Sequence, residues 1–134
     1  MKKLLLFILL SIIGLLVKAQ DKTDISSTNT DTTIFATTDV EVAPECSGGF
    51  ERFSNYVASN KQMQSLHDKG FVYVQFVVET DGKLSQIKVV RGLSADANKV
   101  AVTVIHNSPI WKPGIKAGHP VRVRCTLPLK FNGA

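Results

Sequence analysis

Residues 121–131 read VRVRCTLPLKF, and this stretch decides the fold. Every odd position is apolar, while the even positions hold arginine, threonine, proline and lysine. Alternation with a period of two predicts a strand with one face on a core and the other face in solvent. Pro128 has no N–H for the sheet ladder, so we expect this strand to lie at a sheet edge with that position facing outward.

Two further strands lie upstream and are joined by a tight turn. Residues 71–79 read FVYVQFVVE, and their even positions are all apolar, so we expect these side chains to point toward the core. Asp81 and Gly82 then predict a hairpin turn, because glycine readily takes a positive φ. Residues 84–91 follow as the second strand of the hairpin.

Two helices are predicted from apolar residues that recur at steps of three and four. The first covers residues 50–60, and the second covers residues 94–107, with Ser94 as its N-cap. The loop between Pro109 and Pro113 carries Trp111, which we expect to cover the core between helices and sheet. We therefore predict an α+β fold: a small three-stranded antiparallel sheet, two helices packed on one face, and the last strand at the edge.

The first residues have the features of a secretory signal peptide. Lys2 and Lys3 precede an apolar run over residues 4–17, and the sequence around Ala19 and Gln20 suits cleavage between those two residues. As a helix the run rises about 21 Å, which is less than the roughly 30 Å of a bilayer core. We therefore predict a signal peptide over residues 1–19 and export to the periplasm. The alternative is an uncleaved anchor in the inner membrane.

Charge divides the rest of the chain into two parts. Residues 20–45 hold one lysine and six carboxylates, whereas residues 46–134 hold twelve basic and five acidic side chains. The first part is rich in Thr, Ser and Asp and shows no periodicity, so residues 20–43 are predicted to form a flexible acidic leader. The remaining residues, 44–134, are predicted to form the folded domain. A chain of 134 residues excludes a large enzyme or a multi-span transporter.

No pattern of residues indicates catalysis or a bound group. His67, His106 and His119 are far apart and are not at metal-ligand spacing, so we predict no metal, no cofactor, no small-molecule substrate and no enzymatic activity. The basic charge is spread along all elements without an evident aromatic platform. Nucleic acid is therefore not an expected partner.

The order of helix, strand, Asp-Gly hairpin, strand, helix, tryptophan loop and strand resembles the TonB C-terminal domain. Residues 71–84 (FVYVQFVVETDGKL) are similar to that family's first hairpin, and residues 108–114 (SPIWKPG) with 118–131 form the most specific match. Pro44 and the Gly48-Gly49 pair resemble the lead-in of the form found in Bacteroidetes-like bacteria. The resemblance covers residues 44–132.

The resemblance implies a role in TonB-dependent outer-membrane transport. It implies that a short receptor segment, the TonB box, adds to the edge of the last strand by β-augmentation. The implied contact residues are Val121, Arg122, Val123, Arg124, Cys125, Thr126, Leu127 and Lys130. Two alternatives stay open: a short inner-membrane energy transducer anchored by residues 4–17, and a self-pairing structural module that forms a homodimer through the same edge.

Cys46 and Cys125 stand where this family usually has aromatic residues. In an oxidising compartment two such cysteines can form a disulfide. The sequence leaves that bridge and two separate buried thiols equally open.

Overall fold

A computed structural model describes residues 32–134 of the chain. The predicted signal peptide, its predicted cleavage site between Ala19 and Gln20, and the part of the predicted leader before residue 32 lie outside the described residues. The strands are β1 (Ile34–Ala36), β2 (Glu45–Cys46), β3 (Lys69–Val78), β4 (Leu84–Arg91), β5 (Trp111–Lys112), β6 (Gly114–Lys116) and β7 (His119–Asn132). The α-helices are α1 (Gly49–Ala58), α2 (Lys61–Ser65) and α3 (Ala95–His106), and one 3-10 turn covers Thr37–Asp39.

The main sheet has five strands in the order β1-β7-β3-β4, with β6 also paired to β7. β7 runs antiparallel to β3 in unbroken register, from the pair of Val78 and Val123 to the pair of Lys69 and Asn132. On its other side, β7 pairs antiparallel with β6 and parallel with β1. β2 and β5 form a separate two-stranded ribbon.

The prediction of a three-stranded antiparallel sheet with β7 at its edge is therefore wrong in part. The sheet is mixed, and Val123 and Arg124 of β7 lie between β3 on one side and β1 on the other, while His119–Val121 pair with β6 alone among the described strands. One of the two covering strands comes from the predicted leader, because Ile34–Ala36 pair with Arg122–Arg124. Residues 34–36 of the predicted leader thus form a strand of the main sheet.

The core lies between the helices and one face of the sheet, as predicted from the strand patterns. The even positions of β3 (Val72, Val74, Phe76 and Val78) are fully buried, and Val123, Leu129 and Phe131 of β7 join them. α3 contributes Ala97, Ala101, Val104 and Ile105. The Ser94 hydroxyl accepts a hydrogen bond from Ala97 N–H at 3.1 Å, which confirms the predicted N-cap.

Trp111 closes the core at the end of the hairpin, which confirms its predicted structural role. Its ring centroid lies 5.2 Å from that of Phe76 and 5.6 Å from that of Phe53, both in edge-to-face geometry. Its indole N–H donates to the Ser108 hydroxyl at 3.1 Å. The backbone of Trp111 also donates to the Gly82 carbonyl at 3.1 Å, which joins the loop to the hairpin turn.

Among residues 32–134, none of the helices combines the length and apolar character that a membrane span requires.

Candidate peptide-binding edge

The outer side of β7, the side opposite β3, is divided into two parts. β6 covers His119–Val121 and β1 covers Arg122–Arg124. From Cys125 to Asn132, β7 pairs with β3 alone among the strands of residues 32–134. We call this second part the open edge. It contains four of the eight predicted contact residues: Cys125, Thr126, Leu127 and Lys130.

The direction of the β7 peptide groups follows from the bonds of β6. Ile115 N–H donates to the Val42 carbonyl at 2.9 Å, and Val42 N–H donates to the Ile115 carbonyl at 3.2 Å. Ile115 therefore directs both groups away from β7, so the positions on either side of it bond to β7, and Val121 faces them. Peptide groups alternate sides along a strand, so the odd positions of β7 all face this outer side. On the open edge these positions are Cys125, Leu127, Leu129 and Phe131.

Pro128 is at an even position of β7, and the peptide groups of even positions face β3. The proline nitrogen faces β3, across from Tyr73, and not the outer side. The sequence-based expectation that Pro128 faces outward at an edge is wrong, because the missing N–H falls within a paired ladder. The open edge therefore loses no donor to proline.

The sheet has a second edge at β4, but that edge is irregular. The β3–β4 register shifts between Tyr73 and Val74 and again between Gln75 and Val77. Gln86 of β4 has a positive φ of 49°, which is a feature of a bulge. Bulges interrupt the row of main-chain groups that an added strand needs. The open edge of β7 is the more regular template for an extended peptide.

The four remaining predicted contacts, Val121 to Arg124, lie under β6 and β1. Val123 is fully buried, and Arg122 is engaged within the protein. Its Nε donates to Glu79 Oε2 at 2.7 Å and its Nη1 donates to the Thr32 carbonyl at 3.0 Å. A peptide reaches Arg122–Arg124 only if β1 leaves, and Val121 stays paired with β6. The sequence argument missed this cover because three residues are too few for a periodic pattern.

Two cavities adjoin the open edge. A groove of about 390 Å³ separates β7 from α1, and Phe50, Val57, Met63 and Leu129 are among the apolar side chains that line it. Phe50 is 82% exposed. A second cavity of about 660 Å³ lies where β1 ends, beside Cys125 and Leu127. Side chains of an added strand would have apolar space on the core side of the edge.

The family model described as Gram-negative bacterial TonB protein C-terminal matches residues 61–132. The chain belongs to this family. Members are non-enzymatic protein-interaction modules of TonB-dependent transport and are associated with the cell envelope, where the family interacts with outer-membrane receptors. No curated protein and no solved structure matches the chain significantly.

Both cysteines of this TonB C-terminal domain are free, buried thiols in the structure. Burial raises the pKa of the Cys125 thiol to about 11. Burial also raises the pKa of Cys46, against a smaller opposing effect of the Arg52 charge. A thiol that stays protonated near neutral pH is a weak nucleophile and a poor metal ligand. Within residues 32–134, no three potential metal ligands cluster.

The histidines of this TonB C-terminal domain lie apart on the surface. His106 ends α3, where a cationic side chain suits the helix dipole. The His67 Nδ1 atom lies 3.3 Å from the Ala134 carbonyl oxygen, and His119 is exposed at the start of β7. Four of the eight contact residues predicted from the sequence thus lie on the open edge, the other four lie beside β6 and β1, and the histidines are separated.

Proposed function

We propose that the chain binds an extended TonB-box segment of an outer-membrane TonB-dependent receptor along the open edge of β7. The observation that carries the proposal is the row of outward-facing peptide groups at Cys125, Leu127, Leu129 and Phe131. A peptide in extended conformation completes that ladder with main-chain hydrogen bonds, which give affinity with little dependence on side chains.

The surroundings of the open edge support a peptide with apolar residues and acidic flanks. The groove beside α1 accommodates apolar side chains on the core side of the edge. Arg124 and Lys130 are exposed on the opposite side. Each exposed charge contributes little to affinity, so we expect the charges to favour acidic flanks without determining binding alone.

Titration of the isotope-labelled protein with receptor TonB-box peptides tests the binding mode. We expect amide shifts along Cys125–Phe131. Two peptides N-methylated at every second residue, in opposite registers, sharpen the test. One peptide lacks the N–H donors that face β7, and the other lacks the N–H donors that face solvent. We expect the first set of methyl groups to abolish binding and the second set to leave it unchanged. Equal effects of both sets, or no shift at millimolar peptide, would contradict the proposal.

The alternative is that two copies of the chain pair through the main-chain groups of their open edges. It predicts a homodimer whose amide shifts along Cys125–Phe131 depend on protein concentration. Sedimentation of the full chain at increasing concentration distinguishes self-pairing from peptide binding. We expect a monomer that becomes a one-to-one complex with the peptide.

We further propose that the chain is exported and cleaved between Ala19 and Gln20, which releases the module into the periplasm. The sequence features of residues 1–19 support this. Mass spectrometry of the protein isolated from its cell envelope gives the mature N-terminus directly. A chain that retains residues 1–19 in the membrane fraction would favour the anchored energy transducer instead.

A further inference from the structure

The sheet face opposite the helices carries a cluster of basic side chains. Residues of the core cluster occupy even positions of β3 and odd positions of β7, so odd positions of β3 and even positions of β7 lie on the other face, where Val77 is covered by its neighbours and fully buried. Cross-strand pairs place Phe71 beside Lys130, and Val77 beside Arg124. On the other side of β3, Tyr73 pairs with Arg91, and Gln75 pairs with Lys88. With Lys69 at the start of β3, these cations form what we call the basic sheet face.

The charge of the basic sheet face is almost uncompensated. Its five cations are Lys69, Lys88, Arg91, Arg124 and Lys130, and all of them are exposed. The three strands that form this face, β3, β4 and β7, contain no carboxylate. Glu79 directly follows β3. Its carboxylate is already engaged, because it accepts hydrogen bonds from Arg122 at 2.7 and 2.9 Å. The face therefore complements an anionic partner.

Apolar side chains lie exposed among these cations. Phe71 is 45% exposed and Val90 is 50% exposed. Arg91 lies over the Tyr73 ring, 5.8 Å from its centroid, so this ring is not free to stack on a base. Cations mixed with exposed apolar groups are typical of surfaces that lie at a membrane interface.

We propose that the basic sheet face docks on an anionic lipid bilayer. The face extends about 27 Å along β3 and about 10 Å across three strands, which is enough for several lipid headgroups to meet its cations. Phe71 and Val90 enter the interfacial region between them. The open edge of β7 borders this face and shares Lys130 with it, but the remaining cations and the lipid partner are different, so this inference goes beyond the proposed peptide binding.

Vesicle cosedimentation of the full chain tests the proposal. The probes are phosphatidylcholine vesicles and mixed vesicles of phosphatidylcholine and phosphatidylglycerol. We expect binding to the anionic vesicles alone, with loss at high salt because screening weakens each headgroup contact. Equal binding to both vesicle types, or binding to neither, overturns the proposal. Binding to an acidic peptide or an oligonucleotide without vesicle binding overturns it as well.

Matched variants distinguish binding through the basic sheet face from a general effect of net charge. We expect the double variant Lys88→Gln/Arg91→Gln to lower the vesicle partition coefficient by about tenfold or more. The control Lys61→Gln/Lys99→Gln removes two exposed cations from the helices and should change the coefficient much less. Phe71→Ser should weaken binding more than Ile110→Ser, which alters a loop residue that is more exposed, at 59% against 45% for Phe71.

Circular dichroism confirms that each variant folds. Titration of Lys88→Gln/Arg91→Gln with the receptor peptide should give unchanged affinity, which keeps failure of the lipid proposal distinct from failure of the peptide proposal. Equal losses for the two double variants would show that net charge alone acts, and would overturn the assigned face.

Discussion

Arg122 binds both carboxylate oxygens of Glu79, with Nε 2.7 Å from Oε2 and Nη2 2.9 Å from Oε1. The Ser85 hydroxyl donates to the same carboxylate at 2.6 Å, and Arg122 Nη1 donates to the Thr32 carbonyl at 3.0 Å. The pair therefore joins the segment that precedes β1, the central strand β7 and the β3–β4 hairpin. Breaking it would affect all three.

The Glu79 carboxylate makes the stability of the domain depend on pH. The hydrogen bond from Arg122 is the largest cause and lowers the Glu79 pKa; burial, the second largest, raises it, and the bond from Ser85 and the charge of Arg122 lower it further, so that the net pKa is lowered. A lowered folded-state pKa gives stability that is present above the unfolded-state pKa and is lost as pH falls through the folded-state pKa. We expect Glu79→Gln to cost about 1–2 kcal/mol at pH 7 and less in acid.

Urea unfolding followed by fluorescence of Trp111, the single tryptophan of the chain, measures this difference at each pH. Asp39→Asn is the matched control, because Asp39 is exposed, and we expect it to change the unfolding free energy by less than about 0.5 kcal/mol. A Glu79→Gln cost that stays constant from pH 7 into acid would contradict the assigned role of ionisation.

Alanine substitutions at Gly82 and Gly118 distinguish the cost of a steric contact from the cost of backbone strain. Both have positive φ, 83° and 77°, but a Cβ on Gly82 would lie 2.0 Å from the Trp111 carbonyl oxygen, whereas a Cβ on Gly118 would have open space. We expect Gly118→Ala to cost about 1 kcal/mol through φ alone, and Gly82→Ala to cost clearly more. Thermal unfolding of both variants gives the comparison, and equal costs would show that the Gly82–Trp111 contact relaxes freely.

Removal of the Trp111 ring should leave a large cavity beneath the loop. The ring is 7% exposed and packs on Phe53 and Phe76. We expect Trp111→Ala to destabilise the domain by about 3–5 kcal/mol, measured by urea unfolding followed by circular dichroism. The neighbouring Ile110 is 59% exposed, and Ile110→Ala should cost less than about 0.5 kcal/mol. Similar effects of the two variants would show that the loop does not close the core.

The buried thiols should resist alkylation in the folded protein. Burial raises the Cys125 pKa to about 11, so the thiolate fraction at pH 8 is on the order of a hundredfold lower than for an exposed cysteine. We expect iodoacetamide to modify neither Cys46 nor Cys125 at a measurable rate until urea unfolds the chain, as read by mass spectrometry. Resistance that persists in urea and disappears with reductant would instead show that the two cysteines form a disulfide.

The long elements of this fold could be predicted because each carries a complete local pattern. Residues 84–91 were predicted as a strand and form β4 with the same bounds. The second helix was predicted over 94–107, and α3 covers Ala95–His106. In both cases apolar periodicity, a turn signal or a capping residue lies within the element itself, so no distant residue was needed.

The neighbours of β7 could not be predicted in the same way. β1 has three residues and pairs with Arg122–Arg124 from far away in the sequence, so its assignment depends on tertiary contacts alone. Pro128 added to the error, because a strand with proline is usually at an edge. The structure places that proline toward Tyr73, inside a ladder that tolerates one missing bond. The open edge was therefore correctly located only from Cys125 onward.

The cover that β1 provides bears on how the protein is produced for study. A recombinant fragment that begins at Pro44, where the composition changes, would omit Ile34–Ala36 and leave the side of β7 at Arg122–Arg124 without its neighbouring strand. A fragment that begins at residue 61, where the family match starts, would also omit Phe53 and Cys46 from the core. Both truncations lengthen the sheet edge whose main-chain groups are unpaired and can pair with another chain. Oligomers seen with such fragments would reflect the cut and not the native chain.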